Sequence, residues 1–168
     1  MIISFIGGGN MASALIGGLH NCADGIQIHV ADVDPAARAR LSAIEGVRTF
    51  ADAGDAIAGA TLVVLALKPQ ILPGVMGEVG PAITAQQCVV SVAAGITLDG
   101  LRHWLDDDVA VIRTMPNTPA LIGLGITGMF ADDRCSADQR ALAERVMRSA
   151  GETIWVDKES QIDAVTAI

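Results

Sequence analysis

Short apolar runs recur along the chain and alternate with stretches whose apolar residues follow a helical spacing. The runs are rich in valine, isoleucine and leucine, as expected of strands buried on both faces. Strands that alternate with helices favour right-handed βαβ units and a mostly parallel sheet. The predicted strands are residues 2–6, 26–31, 47–50, 61–67, 88–93, 109–114, 126–131 and 153–156. Helices are predicted near residues 10–20, 35–44, 52–57, 71–83 and 98–105. A further helix is predicted to begin at Ser136, which forms a capping-box pattern with Gln139, and to stop at Gly151.

This order of elements predicts an α/β protein with a doubly wound, mostly parallel sheet of about eight strands, of the Rossmann type. In that fold the first six strands take the order 3-2-1-4-5-6, and a ligand lies in the crevice between strands 1 and 4. Residues that directly follow a strand are therefore the candidates for chemistry.

The first strand leads into a helix through a turn of three glycines. Gly7 and Gly9 match the first two glycines of a dinucleotide-binding turn, and Ala12 matches its third, small position. The first glycine allows the tight turn, the second leaves room for a pyrophosphate, and the small residue lets the helix pack on the strand. The N–H groups at the start of the helix then face the phosphates. A glycine turn that binds nothing is the alternative.

An acidic residue follows the second predicted strand. Asp32 lies 20 residues past Ala12, where dinucleotide-binding domains place an acid on the ribose hydroxyls. A solvated loop acid is an equal alternative. Asp34, which precedes Pro35, instead has the pattern of a helix N-cap. Arg38, one turn into the next helix, could supply the cation that a 2′-phosphate prefers.

Three more segments follow strands at the same predicted edge. Residues 66–69 (Ala-Leu-Lys-Pro) close the fourth strand beside the glycine turn. Residues 93–95 (Ala-Ala-Gly) close the fifth and leave room for a flat ring against the backbone. Two prolines stiffen the loop 113–119 after the sixth. Each segment also has a structural reading: a solvated lysine before a helix, close packing of small residues, or a polar turn.

Composition and charge exclude several function classes. Apolar residues make up 51% of the chain and aromatic residues 3%, so small aliphatic side chains must build the core. The net charge is −8 and no basic cluster interrupts it, which argues against a nucleic-acid partner. The apolar runs are too short to span a membrane. The three cysteines have neither metal-ligand nor disulfide spacing, which indicates a reducing cytoplasm, and no metal site is expected.

Several of these segments together resemble the pyrroline-5-carboxylate reductase family. The resemblance lies in residues 5–12, 66–69, 91–97 and 113–119. The last of these segments reads Arg-Thr-Met-Pro-Asn-Thr-Pro. Residues 163–166 are similar to the start of the family's linking helix. It implies hydride transfer from a nicotinamide cofactor to the imine carbon of pyrroline-5-carboxylate, giving L-proline as the last step of proline biosynthesis. It implies NADPH as the preferred cofactor, whereas the acidic Asp32 indicates that NADH is also used.

The resemblance also extends the predicted cofactor site beyond the glycine turn. Residues 66–69 would line the nicotinamide riboside, and residues 93–95 would approach the nicotinamide. No residue is assigned as the proton donor to the imine or as a catalytic group. The predicted cofactor-binding residues are Ile6, Gly7, Gly9, Asn10, Met11, Ala12, Asp32, Ala66, Leu67, Lys68, Pro69, Ala93, Ala94 and Gly95.

The chain is expected to hold one domain and the start of another. Residues 1–160 would form the dinucleotide-binding domain, and residues 161–168 would begin the helix that links it to an all-helical domain. In the resembled family that second domain forms the homo-oligomer and most of the proline-ring site, so this chain alone is expected to be inactive. Two alternatives remain: a β-hydroxyacid dehydrogenase, against which Asn10 and the loop 115–119 argue, and a non-catalytic dinucleotide sensor.

Overall fold

Strands and helices alternate along the chain in the computed structural model, which describes residues 1–22 and 25–165. The strands are β1 (Ile2–Ile6), β2 (Gln27–Ala31), β3 (Val47–Phe50), β4 (Leu62–Leu65), β5 (Cys88–Ser91), β6 (Ala110–Pro116), β7 (Gly125–Ala131) and β8 (Gly151–Trp155). The α-helices are α1 (Asn10–Cys22), α2 (Pro35–Ser42), α3 (Ala53–Ile57), α4 (Leu72–Val79), α5 (Leu98–Arg102), α6 (Ala137–Arg148) and α7 (Ile162–Val165). Single 3₁₀ turns lie at Gly80–Ala82, Thr118–Ile122 and Glu159–Gln161.

The strands form one sheet in the order β3-β2-β1-β4-β5-β6-β7-β8. All neighbouring strands are parallel except β6 and β7, which are antiparallel. The prediction of a doubly wound Rossmann-type sheet is therefore confirmed, including the order of the first six strands. Strand β7 reverses direction because only the loop 117–124 joins it to β6, whereas a parallel return needs a crossover of a dozen residues or more.

Apolar layers cover both faces of the sheet. On one face, Ile3 and Phe5 of β1 pack with Leu15 and Ile16 of α1. The opposite face is covered by α4 and its neighbours. Strand β4 (Leu-Val-Val-Leu) is buried at every position, because alternate residues point into the two layers. The run of aliphatic residues in the sequence reflects this burial on both sides.

Two strands end earlier than the sequence predicts. Strand β4 ends at Leu65 and β5 at Ser91, so the following residues leave the sheet at its carboxyl edge. The hydrophobic pattern alone does not show this, because the residues that leave the sheet remain small or apolar.

The end of α6 was predicted wrongly, although its capping box between Ser136 and Gln139 is confirmed. The helix ends at Arg148, and Gly151 is the first residue of β8 rather than the helix stop. Gly151 has a φ of +141°, and a Cβ added there would collide with the backbone of Gly125 in β7. Glycine is needed at this position for the close approach of two strands.

Helix α7 follows β8 and lies against β7. A Cβ added at Gly128 would be 3.0 Å from the carbonyl oxygen of Ile162, so the two backbones are close. Residues 166–168 of the expected linking helix lie outside the described residues. Within residues 1–22 and 25–165, every helix is too short or too polar to traverse a lipid bilayer.

Candidate functional site

The turn between β1 and α1 lies at the edge where the carboxyl ends of the parallel strands meet. Gly7 has a φ of +99°, and its N–H donates to the carbonyl oxygen of Ala31 at 2.8 Å. A Cβ added at Gly7 would lie 2.5 Å from the carbonyl oxygen of Ala66. Both the backbone conformation and the space therefore require glycine, and the turn is held between β2 and β4.

Gly9 has different surroundings from Gly7. It is exposed, and no atom lies within 4 Å of a Cβ added there. It directly precedes α1, whose first N–H groups have no partner within the helix. Ala12 is fully buried and lets α1 approach the sheet. The open space beside Gly9, which a side chain would fill, and the helix N-terminus together could hold a pyrophosphate.

Asp32 lies next to this turn, at the end of β2. Its Oδ2 accepts a hydrogen bond from the N–H of Gly8 at 2.7 Å, and its Oδ1 accepts one from the N–H of Asp34 at 2.8 Å. A carboxylate oxygen can accept more than one hydrogen bond, so both oxygens keep the capacity to accept ribose hydroxyls. The side chain is half-buried and fixed in place. The expected N-cap role of Asp34 is confirmed, because its side chain accepts from the N–H of Ala36.

Two arginines of α2 contact the backbone around Asp32. Nη1 of Arg38 donates to the carbonyl oxygens of Asp32 and Val33, at 2.7 and 3.0 Å. Nη2 of Arg40 donates to the carbonyl oxygen of Gly8 at 2.9 Å. Arg38, considered from the sequence as a partner for a 2′-phosphate, therefore stabilises the turn that carries Asp32. Both guanidinium groups place positive charge beside the glycine turn.

A cavity of about 370 Å³ opens beside the glycine turn. Its lining is mostly apolar, with the acids Asp32, Asp52 and Glu78 and with neither lysine nor arginine among the lining residues. An apolar cleft with a few polar groups suits a flat ring joined to a sugar, as in adenosine. The lining residues are Ile6, Gly7, Ala31, Asp32, Val33, Ala51, Asp52, Ala53, Gly54, Leu67, Ile71, Val75, Glu78, Val79 and Ala82.

Sequence reasoning missed the far wall of this cavity, which α3 and α4 form. The wall includes Ala51 to Gly54, before and within α3, and Ile71 and Val75 at the start of α4. Ile71 and Val33 are large apolar residues that remain exposed. Apolar residues in loops are the only sequence feature that could indicate this wall. The sequence does not show which of them are exposed.

The segments after β4 and β5 lie side by side at this edge. Leu65 is paired with Ser91 in the sheet, so residues 66–69 and 93–95 leave neighbouring strands together. The N–H of Ala66 donates to the carbonyl oxygen of Ile6. Lys68 is exposed, and Gly95 has a φ of +75°. The structure thus brings residues 66–69 beside the glycine turn, as the predicted strand order indicates, and residues 93–95 next to residues 66–69.

Two side-chain hydrogen bonds fix the second half of β6 and the loop that follows it. Oγ1 of Thr114 donates to the carbonyl oxygen of Ser91 at 2.9 Å and ties β6 to β5. Oδ1 of Asn117 accepts from the N–H of Ile126 at 2.9 Å. The sequence left open whether Asn117 presents a polar group or closes a turn, and here it closes the turn into β7.

The remaining chemistry-bearing side chains lie away from this edge. Cys88 lies at the amino end of β5, and its thiol lies next to that of Cys135. The interaction between the two thiols, together with burial, raises the pKa of Cys88. The same interaction lowers the pKa of Cys135, with help from Arg140 and against the effect of burial. His29 is buried, with Nδ1 3.0 Å from the carbonyl oxygen of Ala56. Among residues 1–22 and 25–165, no His, Cys, Asp and Glu side chains cluster as metal ligands.

Comparison with known proteins agrees with this geometry. A family model described as NADP oxidoreductase, coenzyme F420-dependent, matches residues 2–95. The pyrroline-5-carboxylate reductase of Pseudomonas aeruginosa is 41% identical over 169 residues, covering 99% of this chain and 61% of that protein. The enzyme of that name from Haemophilus influenzae is 37% identical, with coverage of 99% and 61%. The structure of a pyrroline-5-carboxylate reductase from Coxiella burnetii superimposes with a TM-score of 0.93 at 37% identity, covering 99% and 62%. The chain thus spans about three-fifths of the length of these relatives.

Proposed function

Because the chain belongs to the family described as NADP oxidoreductase, coenzyme F420-dependent, we propose that it is the cofactor-binding domain of a pyrroline-5-carboxylate reductase. The full protein would reduce the imine bond of 1-pyrroline-5-carboxylate and produce L-proline. The observation that carries this proposal is the arrangement at the carboxyl edge of the sheet. The glycine turn has open space beside Gly9, and Asp32 and a cavity lie next to that turn. Similarity over 99% of the chain to relatives with that name supports it.

Each part of the edge has a role in this proposal. The turn from Ile6 to Ala12 would hold the pyrophosphate, the cavity would hold the adenosine, and Asp32 would accept hydrogen bonds from the ribose hydroxyls. Residues 66–69 would line the nicotinamide riboside, and residues 93–95 would approach the nicotinamide. When bound, the dihydronicotinamide supplies the hydride. The protein's contribution is to hold the two reacting carbons roughly 3–3.5 Å apart and to keep water away from one face of the ring.

Charged side chains of opposite sign act on the choice between NADPH and NADH. Arg38 and Arg40 place positive charge beside the turn, which favours the 2′-phosphate of NADPH. Asp32 repels that phosphate and accepts the free ribose hydroxyl of NADH instead. We therefore expect a modest preference for NADPH, with NADH also used.

The remaining partners follow from the same proposal. The imine substrate would be enclosed by a helical domain that continues from α7 and joins the subunits into a homo-oligomer. We propose a cytoplasmic location because Cys88 and Cys135 are free thiols, and thiols stay reduced in that compartment.

The direct test is an assay of the full-length protein with pyrroline-5-carboxylate and NADPH. Oxidation of NADPH coupled to the appearance of proline is expected. Tight cofactor binding without turnover of this imine would contradict the reductase assignment and favour a dinucleotide sensor.

A further inference from the structure

A buried arginine at the centre of β6, paired with Ser91 at the end of β5, contacts two carboxylates from the segment that follows β8. Arg113 is only 4% exposed. Its Nη1 lies 3.3 Å from Oε1 of Glu159, and its Nη2 lies 3.2 Å from Oδ1 of Asp163. Glu159 lies in the 3₁₀ turn before α7, and Asp163 lies in α7 itself. The arginine thus connects the sheet to the start of the last helix.

Glu159 connects the same cluster to the loop after β5. Its Oε1 also accepts a hydrogen bond from the N–H of Leu98 at 2.7 Å. Leu98 is the first residue of α5 and closely follows residues 93–95. One carboxylate therefore joins the loop proposed to face the nicotinamide, the strand β6 and the segment that leads into α7.

The geometry of the cluster suits an arginine better than a lysine. A buried guanidinium needs partners, because an unpaired charge is costly in the protein interior. The two terminal nitrogens of Arg113 contact different carboxylates, and a lysine has one charged nitrogen in place of this fork. Ile162, which stands between Glu159 and Asp163 along the chain, is fully buried. Apolar packing therefore holds α7 as well as charge.

We propose that Arg113 is a positioning residue that, through Glu159 and Asp163, sets the direction in which α7 leaves this domain relative to the loop 93–95. The consequence for catalysis rests on the proposed function, since it requires that the chain beyond α7 enclose the imine. A small error in the direction of α7 would then displace the substrate from the nicotinamide, whereas the cofactor itself would bind as before.

The first test measures hydrogen exchange in this 168-residue chain. In Arg113→Met, peptides covering residues 159–165 should exchange about tenfold faster, with the rest of the sheet unchanged. Arg148→Met is the matched control, because Arg148 pairs with Glu144 and Glu152 on the surface. Glu159→Gln provides a second variant of similar size that weakens the same cluster. Unchanged exchange at 159–165 in both variants would overturn the proposal.

The second test uses the full-length protein, provided that the wild type reduces pyrroline-5-carboxylate. Arg113→Met should lower kcat about 10- to 100-fold and leave the Kd for NADPH within about twofold. The isotope effect with 4-deuterated NADPH should rise, because hydride transfer becomes slower than product release. Arg113→Lys should restore only part of kcat.

These outcomes separate the two proposals. A wild-type protein without reductase activity contradicts the proposed function, and the exchange experiment alone then decides whether Arg113 holds α7. Faster exchange with an unchanged kcat overturns the positioning role. A parallel loss of cofactor affinity and of protection across the whole sheet also overturns it, because the arginine would then support only the fold.

Discussion

Gly7 and Gly9 are two residues apart and need to be glycine for different reasons. Gly7 is buried against the carbonyl oxygen of Ala66 with a positive φ, so a side chain there would strain the folded protein itself. Gly9 is exposed beside open space, so a side chain there would only occupy the space proposed for the pyrophosphate. Stability and binding can therefore be separated within one turn.

Gly9→Val should abolish cofactor binding and leave the far-UV circular dichroism spectrum native. The Cβ of the valine would meet no atom within 4 Å, and the side chain would occupy the open space beside the turn. A loss of at least about 100-fold in affinity for NADPH is expected, or ~2.7 kcal/mol. Gly77→Val is the matched control, because Gly77 in α4 is also exposed with no atom within 4 Å of an added Cβ. Equal NADPH affinity in the two variants, measured by fluorescence titration, would remove the turn from the site.

Asp32→Ser should move the cofactor preference of the full enzyme toward NADPH. The substitution removes the like-charge repulsion between the carboxylate and the 2′-phosphate. The ratio of kcat/KM for NADPH to that for NADH should rise about tenfold, or ~1.4 kcal/mol. Asp34→Ser changes the same charge two residues away and keeps an N-cap side chain, so its ratio should stay near the wild-type value. A ratio that does not move in Asp32→Ser would place Asp32 outside the ribose site.

At the scale of elements, the strands end where the candidate chemistry begins. Strands β1, β2, β4 and β5 are parallel, so the residues that follow them meet at one edge of the sheet. Local capping then sets where the helices begin. In α6 the Ser136 side chain accepts from the N–H of Gln139, whose side chain accepts in return from the N–H of Ser136.

Ser136→Ala should lower the free energy of unfolding by about 1 kcal/mol, because the N–H of Gln139 loses its acceptor. The measurement is urea denaturation of this chain followed by circular dichroism. Ser160→Ala, at an exposed position in a 3₁₀ turn, is the control and should change stability by less than about 0.5 kcal/mol. An equal effect of the two substitutions would show that the capping box does not stabilise α6.

At the scale of the whole molecule, the described residues form one wall of the proposed crevice. The glycine turn, the cavity and the loop 93–95 all lie at the carboxyl edge of one sheet. The relatives are longer by about two-fifths of their length, which is room for a second domain. The substrate wall would come from that part.

The 168-residue chain alone should bind NADPH without reducing pyrroline-5-carboxylate. Positioning of the two reactants contributes about 7–11 kcal/mol to such a step, so loss of the substrate wall should reduce turnover to background. Purified residues 1–168 and the full-length protein should be assayed side by side. Proline formation by the short chain at a comparable rate would place the substrate site within this domain.

The class of fold and the order of the first six strands can be predicted from the sequence. Buried parallel strands appear as continuous aliphatic runs, and glycine, capping and proline patterns act over a few residues. The same local signals placed the glycine turn and the residues after β2, β4 and β5 at one edge. These features depend on neighbours along the chain and on a general rule for parallel sheets.

The approach of backbones that are distant along the chain is visible only in the folded protein. The sequence predicts a helix stop at Gly151, because the approach of Gly125 is not visible along the chain. Other contacts likewise join separate elements. They are the far wall of the cavity, the hydrogen bond from Arg38 to the carbonyl oxygen of Asp32, and the pairing of Arg113 with Glu159. Such contacts depend on the packing of whole elements against one another, whereas sequence patterns report mainly the conformation and burial of each element alone.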